Sequence, residues 1–73
     1  MNFSNKKVST AFSSSDNQNV WGNLEGIGWR KVQKKSDDGA TNMFLILVTA
    51  KANDRSVSGT IDDNDQITHL YLN

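Results

Sequence analysis

The chain contains no cysteine and a single histidine, His69. Without cysteine it can form neither disulfides nor thiolate metal sites, and one histidine cannot make a histidine-rich metal site. Domains of this size, 73 residues, commonly depend on disulfides, a metal or subunit association for stability. Of these three sources of stability, the composition permits only subunit association. We therefore expect a homo-oligomer that holds no cofactor and no metal.

The chain also lacks an excess of either charge, because eight Lys and Arg balance eight Asp and Glu. Proteins that grip nucleic acid usually show a basic excess or a strongly basic face. One basic cluster is present, and a solvated polar segment is its ordinary explanation; its members are Arg30, Lys31, Lys34 and Lys35. A nucleic acid is therefore not the partner that the composition favours.

Long apolar segments are missing as well. The N-terminus has no apolar region of the kind that a signal peptide needs. The longest apolar run, Met43 to Val48, has six residues, whereas a membrane-spanning helix needs about 20. We expect a cytoplasmic protein from the chain as written, although the trimmed mature form of a secreted protein would look the same.

The apolar run lies within Thr41–Asp54, the most hydrophobic stretch of the chain and the one around which a core must form. Both period-two faces of the run are apolar, so periodicity alone does not separate a buried strand from a helix. A capping residue at Thr41 or Asn42, the helix formers Ala50–Ala52 and the length favour a helix, whereas the β-branched residues favour a strand. We predict a helix over 41–53; an all-β meander or barrel is the alternative.

Five strands are predicted around this helix, and residues 1–5 are expected to be a frayed lead-in. Val8, Thr10 and Phe12 alternate along the first strand and should share one face, while Trp21 lies opposite the apolar side of the second strand. The predicted strands are 6–12, 20–25, 29–34, 55–61 and 66–72, separated by a polar loop at 13–19, turns at 26–28 and 36–39, and a hairpin loop at 62–65.

Three strands, a helix and a two-strand hairpin thus follow one another in a single domain, 1–73. This is the element order of an oligonucleotide/oligosaccharide-binding (OB) barrel, a five-stranded Greek-key barrel. We therefore predict an α+β, mostly β fold: a small five-stranded OB-like barrel with one helix between its third and fourth strands.

The same segments resemble a known family. The chain reads FLILVTAKAN at 44–53, SVSGTID at 56–62 and ITHLYL at 67–72, and the pair Val20-Trp21 opens the second strand. This arrangement is similar to small bacterial barrel proteins, the binding subunits of bacterial enterotoxins. The resemblance implies a compact barrel that assembles into rings and recognises a glycan. It contains no ligand motif, so it assigns no binding residue.

The predicted helix is apolar nearly all round as far as Val48, whereas a helix on a barrel needs only one apolar stripe. Fully burying each additional Leu, Ile or Phe is worth about 1.5–3 kcal/mol, and a second subunit could supply that cover by cyclic symmetry. We expect the oligomer interface to include Phe44, Val48, Trp21 and Tyr71.

The candidate ligand-binding residues are Trp21, Trp29, Arg30 and Lys31. Indole rings stack on sugars, bases and protein surfaces alike. Trp21 either fills a subunit interface or offers a platform for a ligand, and Trp29 fits packing in the core or at its rim. Arg30 and Lys31 could contact an anion, and solvated strand charges are the plainer interpretation.

No catalytic constellation is visible. The sequence places no serine and acid with His69, which fits hydrogen-bonded packing on a strand covered on both faces. The acidic run 62–65 offers oxygen ligands for calcium but lacks the glycine and distal glutamate of an EF-hand loop, and a hairpin turn explains it. We predict a non-enzymatic binding module for a glycan, another small ligand or a protein partner. The alternatives are a single-stranded nucleic-acid-binding barrel and a structural or adaptor protein.

The native mass in solution tests the argument from the apolar surplus. We expect light scattering to give a small multiple of the 8.1 kDa chain mass, because neighbouring subunits must share the apolar surface of the helix. A strict monomer at every concentration would contradict this expectation.

Overall fold

A computed structural model describes residues 1–14, 19–33 and 37–73. Its elements confirm the predicted fold class, a mostly β barrel with one helix between the third and fourth strands. In chain order they are β1 Asn2–Ser14, β2 Asn19–Leu24, β3 Gly28–Val32, α1 Asp37–Ala52, β4 Ser56–Ile61 and β5 Gln66–Leu72.

The five strands form a closed barrel in the order β1-β2-β3-β5-β4, with β1 and β4 closing the ring. All neighbouring pairs are antiparallel except β3 and β5, which run parallel. Short turns can join antiparallel neighbours, whereas a parallel pair needs a longer crossover. Here α1 and β4 together supply that crossover.

The first strand is 13 residues long and serves two neighbours. Its first half pairs with β4 and its second half with β2, and an irregularity between Phe3 and Lys6 bends it. Asn5 sits at this irregularity with a φ of 55°, a left-handed conformation that asparagine tolerates better than most residues. Phe3 is buried in the core, so the expectation of a frayed lead-in over residues 1–5 is wrong.

A second irregularity lies between Val8 and Thr10. An extra residue in one strand shifts the inward and outward alternation of everything after it. Val8 is buried, Ala11 packs against the core, and Phe12 is 47% exposed. The prediction that Val8, Thr10 and Phe12 share one face is therefore wrong beyond the bulge.

The helix begins at Asp37, four residues before its predicted start at 41, and ends at Ala52. Of the turn predicted at 36–39, residues 37–39 are helical, and Ser36 lies outside the described residues. The helix ends in a Schellman motif: the Arg55 amide donates to the Ala50 carbonyl at 2.9 Å. Asp54 takes the left-handed position of that motif, with a φ of 53°.

The helix packs on β1, β2, β4 and β5 and so lies across one end of the barrel. Leu47 and Ala50 are completely buried, one helical turn apart on the same side. The core is the barrel interior together with this helix surface; its buried members are Phe3, Val8, Val20, Leu24, Val32, Leu47, Ala50, Val57, Ile61 and Ile67.

Two buried glycines let neighbouring groups approach the strands closely. A Cβ at Gly22 would lie 3.0 Å from a terminal methyl of Leu47, and a Cβ at Gly59 would collide with the carbonyl oxygen of His69 and lie 3.0 Å from the Phe3 ring. A leucine methyl can rotate away, whereas a backbone carbonyl of the paired strand cannot. Substitution by alanine should therefore be tolerated far better at Gly22 than at Gly59.

We expect Gly59→Ala to lower the free energy of unfolding by about 3 kcal/mol or more, and Gly22→Ala by about 1 kcal/mol, within the range seen for overpacked cores. Urea unfolding of both variants measures the difference. In a Leu47→Ala background the cost of Gly22→Ala should vanish, because the methyl then enters the space that leucine leaves. An equal cost in both backgrounds would contradict the contact.

Candidate binding face

The outward side of β1, β2 and β3 gathers most of the exposed aromatic area of the barrel wall. Strand register aligns Phe12, Trp21 and Lys31 in one cross-strand row. The adjacent row holds Thr10, Asn23 and Trp29. Facing residues in a sheet lie about 4.5–5.5 Å apart, so the two rows form one continuous surface. We call these six residues the aromatic face.

The turn between β2 and β3 determines which residues share this surface. The Ile27 amide donates to the Leu24 carbonyl at 3.0 Å, and Gly26 and Gly28 have φ values of 76° and 98°. Residues that have a side chain rarely adopt such backbone angles, whereas glycine adopts them without a steric penalty. The tight reversal pairs Gly28 with Leu24 and so places Trp29 directly beside Asn23.

The two tryptophans differ in solvent exposure and in hydrogen bonding. Trp21 points outward as predicted and is half-buried, and its indole N–H donates to the Asn19 side-chain oxygen at 2.8 Å, which orients the ring. Trp29 is 45% exposed, so it does not pack in the core. Because Trp29 pairs with the outward residue Asn23, its ring belongs to the outer surface.

Phe12 was not among the predicted site residues, although it is the third ring of the aromatic face. Its alternation with Val8 assigned it to the core, and only the bulge between Val8 and Thr10 turns it outward. Ser9, the extra residue between Val8 and Thr10, offers no clear sequence signal for a bulge. The alternation pattern therefore could not have found Phe12.

The two adjacent cations of β3 lie on opposite sides of the sheet. Lys31 pairs with Trp21 on the aromatic face, whereas Arg30 pairs with the inward-facing Gly22. The Arg30 side chain is half-buried, and one Nη donates to the Trp29 carbonyl at 2.8 Å. Its Nε is buried, and none of the described residues accepts a hydrogen bond from it. Of the four predicted ligand residues, the structure thus brings Trp21, Trp29 and Lys31 together and separates Arg30 from them.

The predicted interface residues lie on three separate elements. Phe44 and Val48 are half-buried on α1, and Phe44 packs partly against the core. Tyr71 is 60% exposed on β5, which is not a neighbour of the strand that carries Trp21. Leu45, which was not predicted, is the most exposed large apolar residue of the helix, at 54%.

His69 is exposed, so the prediction that both faces of its strand are covered is wrong. A bulge between Thr60 and Ile61 displaces the pairing of β4 and β5 and turns His69 towards solvent. Its Nδ1 lies 3.0 Å from the Thr68 hydroxyl. Among the described residues, no other side chain forms a hydrogen bond with the imidazole.

The acidic run 62–65 forms the predicted hairpin turn. One carboxylate oxygen of Asp62 accepts from the amides of Asn64 and Gln66 at 2.9 and 3.0 Å. The other accepts from the Gln33 side-chain amide at 3.3 Å, which connects the loop to the end of β3. In the part of the chain that the structure describes, no group of three His, Cys, Asp or Glu residues is arranged to hold a metal ion.

The described surface has no pocket, so a ligand of the aromatic face would bind on an open surface. Residues 1–14, 19–33 and 37–73 contain no helix long and apolar enough to cross a membrane. Comparisons with protein-family models, with curated proteins and with solved structures each find no match to this chain.

The Asp62 contacts predict a specific cost in stability. We expect Asp62→Ala to lower the free energy of unfolding by about 1–2 kcal/mol, because the amides of Asn64 and Gln66 lose their charged acceptor. Asp62→Asn keeps one acceptor oxygen and should cost less. The control Asp63→Ala, at an exposed position of the same loop, should change stability by less than about 0.5 kcal/mol. Equal effects at 62 and 63 in thermal unfolding would contradict the assignment.

Proposed function

We propose that this protein is a non-enzymatic binding module of the OB type whose aromatic face recognises a glycan. The observation that supports this function best is the exposure of Phe12 and Trp29 beside the oriented ring of Trp21 on one sheet surface. Exposed aromatic rings cost stability in water unless something covers them. In OB barrels the surface around strands 2 and 3 binds oligosaccharides and oligonucleotides.

The polar groups between the rings suit sugar hydroxyls. Thr10 and Asn23 contribute a hydroxyl and an amide to the row that contains Trp29, and such groups both donate and accept hydrogen bonds. Sugar rings present apolar C–H faces to aromatic rings and hydroxyls at their edges. An alternation of rings with neutral polar groups matches that chemistry.

A single-stranded nucleic acid is the second candidate, and Lys31 favours it because this cation lies directly beside Trp21. Proteins of that kind combine stacking rings with a positively charged groove. The aromatic face has one cation among its six residues, and the whole chain has no net charge. Phosphate neutralisation would therefore be weak, and the glycan is the better proposal.

We further propose that the module works as a homo-oligomer, as the resemblance to enterotoxin binding subunits implies. The exposed Leu45, the half-buried Phe44 and Val48, and the exposed Tyr71 are the apolar groups that subunits would cover. A glycan-binding role goes with a secreted form of the chain. A cytoplasmic location would favour the structural or adaptor alternative, in which the aromatic face binds a protein.

The decisive experiment applies the labelled protein to an array of oligosaccharides. We expect saturable binding to a subset of them, and Trp29→Ala should weaken it at least about tenfold, since loss of one stacking ring is worth about 1–3 kcal/mol. His69→Ala is the matched control, because it removes an exposed ring from a strand outside the aromatic face. That variant should bind like the wild type.

A parallel titration with a dodecamer of thymidine, followed by tryptophan fluorescence, separates the two candidates. Salt-sensitive binding that Lys31→Gln abolishes, together with an empty oligosaccharide array, would replace the glycan by a nucleic acid. Unfolding curves of Trp29→Ala should match the wild type within about 1 kcal/mol, which shows that lost binding is not lost folding.

A further inference from the structure

A second feature lies at the end of the barrel wall, at the turn between β2 and β3. Two cations point at this turn from different strands. The Lys6 Nζ lies 3.7 Å from the position of a Cβ at Gly26, and an Nη of Arg30 lies 3.9 Å from the position of a Cβ at Gly28. Gly26 is exposed and Gly28 is half-buried, and neither has a side chain between its backbone and the cation.

Neither cation has a carboxylate partner among the described residues, where Lys7 and Asp54 form the one ion pair. The Arg30 Nε is buried and no described residue accepts a hydrogen bond from it, and a buried donor without an acceptor is unfavourable. Glu25, in the same turn, is exposed and lies within 4 Å of neither cation's nitrogen atoms. The turn thus holds two unpaired positive charges and one unused donor.

We propose that this turn is an anion subsite, formed by Lys6 and Arg30, that takes a carboxylate or sulfate group. Guanidinium groups bind such planar or tetrahedral oxyanions through several N–H donors at once. An oxyanion would bind the Nη groups of Arg30, and a turn of the guanidinium would bring its buried Nε to the same acceptor. Left-handed glycines in the turn allow the anion to approach the backbone without meeting a side chain.

The position of the subsite limits the chemical class of ligand that the aromatic face would bind. Arg30 follows Trp29 directly and donates to its carbonyl, so the anion would sit at the end of the strand that carries the more exposed indole. This part of the inference rests on the proposed glycan function. The preferred ligand is an acidic oligosaccharide: one sugar stacks on Trp29, and a carboxylate or sulfate group of a neighbouring sugar passes round the turn to Arg30 and Lys6 on the other side of the sheet.

Inorganic sulfate tests the subsite without any sugar. We expect sodium sulfate to shift the amide NMR signals of Gly26 and Gly28 saturably, beyond the shifts in sodium chloride of equal ionic strength. Arg30→Gln and Lys6→Gln should each weaken sulfate binding about tenfold, the loss expected for one charge-assisted hydrogen bond. Arg30→Lys keeps the charge and lacks Nε, so its affinity should be intermediate. Glu25→Gln should bind sulfate more tightly because it removes a repulsive charge.

The matched control is Lys51→Gln, which removes the same charge from an exposed position in the last turn of the helix and should leave sulfate binding unchanged. Thermal unfolding of Arg30→Gln should show little loss of stability, since the variant removes a buried donor for which no described residue is an acceptor, together with a single exposed hydrogen bond to the Trp29 carbonyl. Sulfate shifts that stay linear, match those of chloride or persist in Arg30→Gln would overturn the subsite.

The oligosaccharide arm compares matched sugars that end in glucose or in glucuronate. A preference for glucuronate that Arg30→Gln abolishes supports the acidic-sugar ligand. Binding of both sugars alike, without a saturable sulfate effect, overturns the subsite and leaves the glycan function standing. A saturable sulfate effect with no sugar bound overturns the glycan function and the acidic-sugar ligand, and the anion subsite stands.

Discussion

The fit of Leu47 against Gly22 is the constraint on which the rest of this small barrel depends. A ring of five short strands has an interior to fill and an open end to cover, and one completely buried helical side chain contributes to both. Because Gly22 offers no side chain, the helix can approach the strand until leucine methyls touch its backbone. The core of a chain this short depends on that approach, since interiors are stable only when they are densely packed.

Interior packing and the binding face depend on the same strands. In β2 the inward residues Val20, Gly22 and Leu24 are buried, and the residues between them form the middle of the aromatic face. The bulges in β1 let one strand curve around the barrel while Phe3 and Val8 both remain inside. The same curvature presents Phe12 to solvent. The exposure of Phe12 is thus a by-product of how the barrel closes, and a binding function would make use of it.

Element types and order could be predicted from the sequence because they depend on local patterns. The apolar run with helix-forming flanks predicted the helix, and the alternation in β2 correctly placed Trp21 outward. What could not be predicted depends on pairing between strands. Bulges after Val8 and near Thr60 reverse the alternation locally, so Phe12 and His69 are exposed against expectation. The helix start was missed because two aspartates and a glycine resemble a turn as much as a first helical turn.

For the candidate site, too, local features could be predicted from the sequence and features that depend on strand pairing could not. Arg30 and Lys31 are adjacent in the sequence and are both predicted to bind the ligand. A strand, however, places neighbouring residues on opposite sides of its sheet. The structure therefore assigns Lys31 to the aromatic face and Arg30 to the turn at the end of the barrel. The proximity of Lys6 to that turn depends on the pairing of β1 with its neighbours, which no local pattern specifies. Individual candidate residues could be predicted from the sequence, whereas which of them lie together in the structure could not.

The seam between β1 and β4 has a consequence for how quickly the chain reaches its native state. It joins residues as far apart as Asn2 and Thr60, 58 positions along the chain. Such contacts form only after most of the chain has been ordered, and the entropy of closing so long a loop slows folding. Barrels dominated by non-local pairing fold in milliseconds to seconds, whereas helical bundles of similar size need microseconds to milliseconds. Until the seam closes, β4 and the first half of β1 expose free edges to other chains.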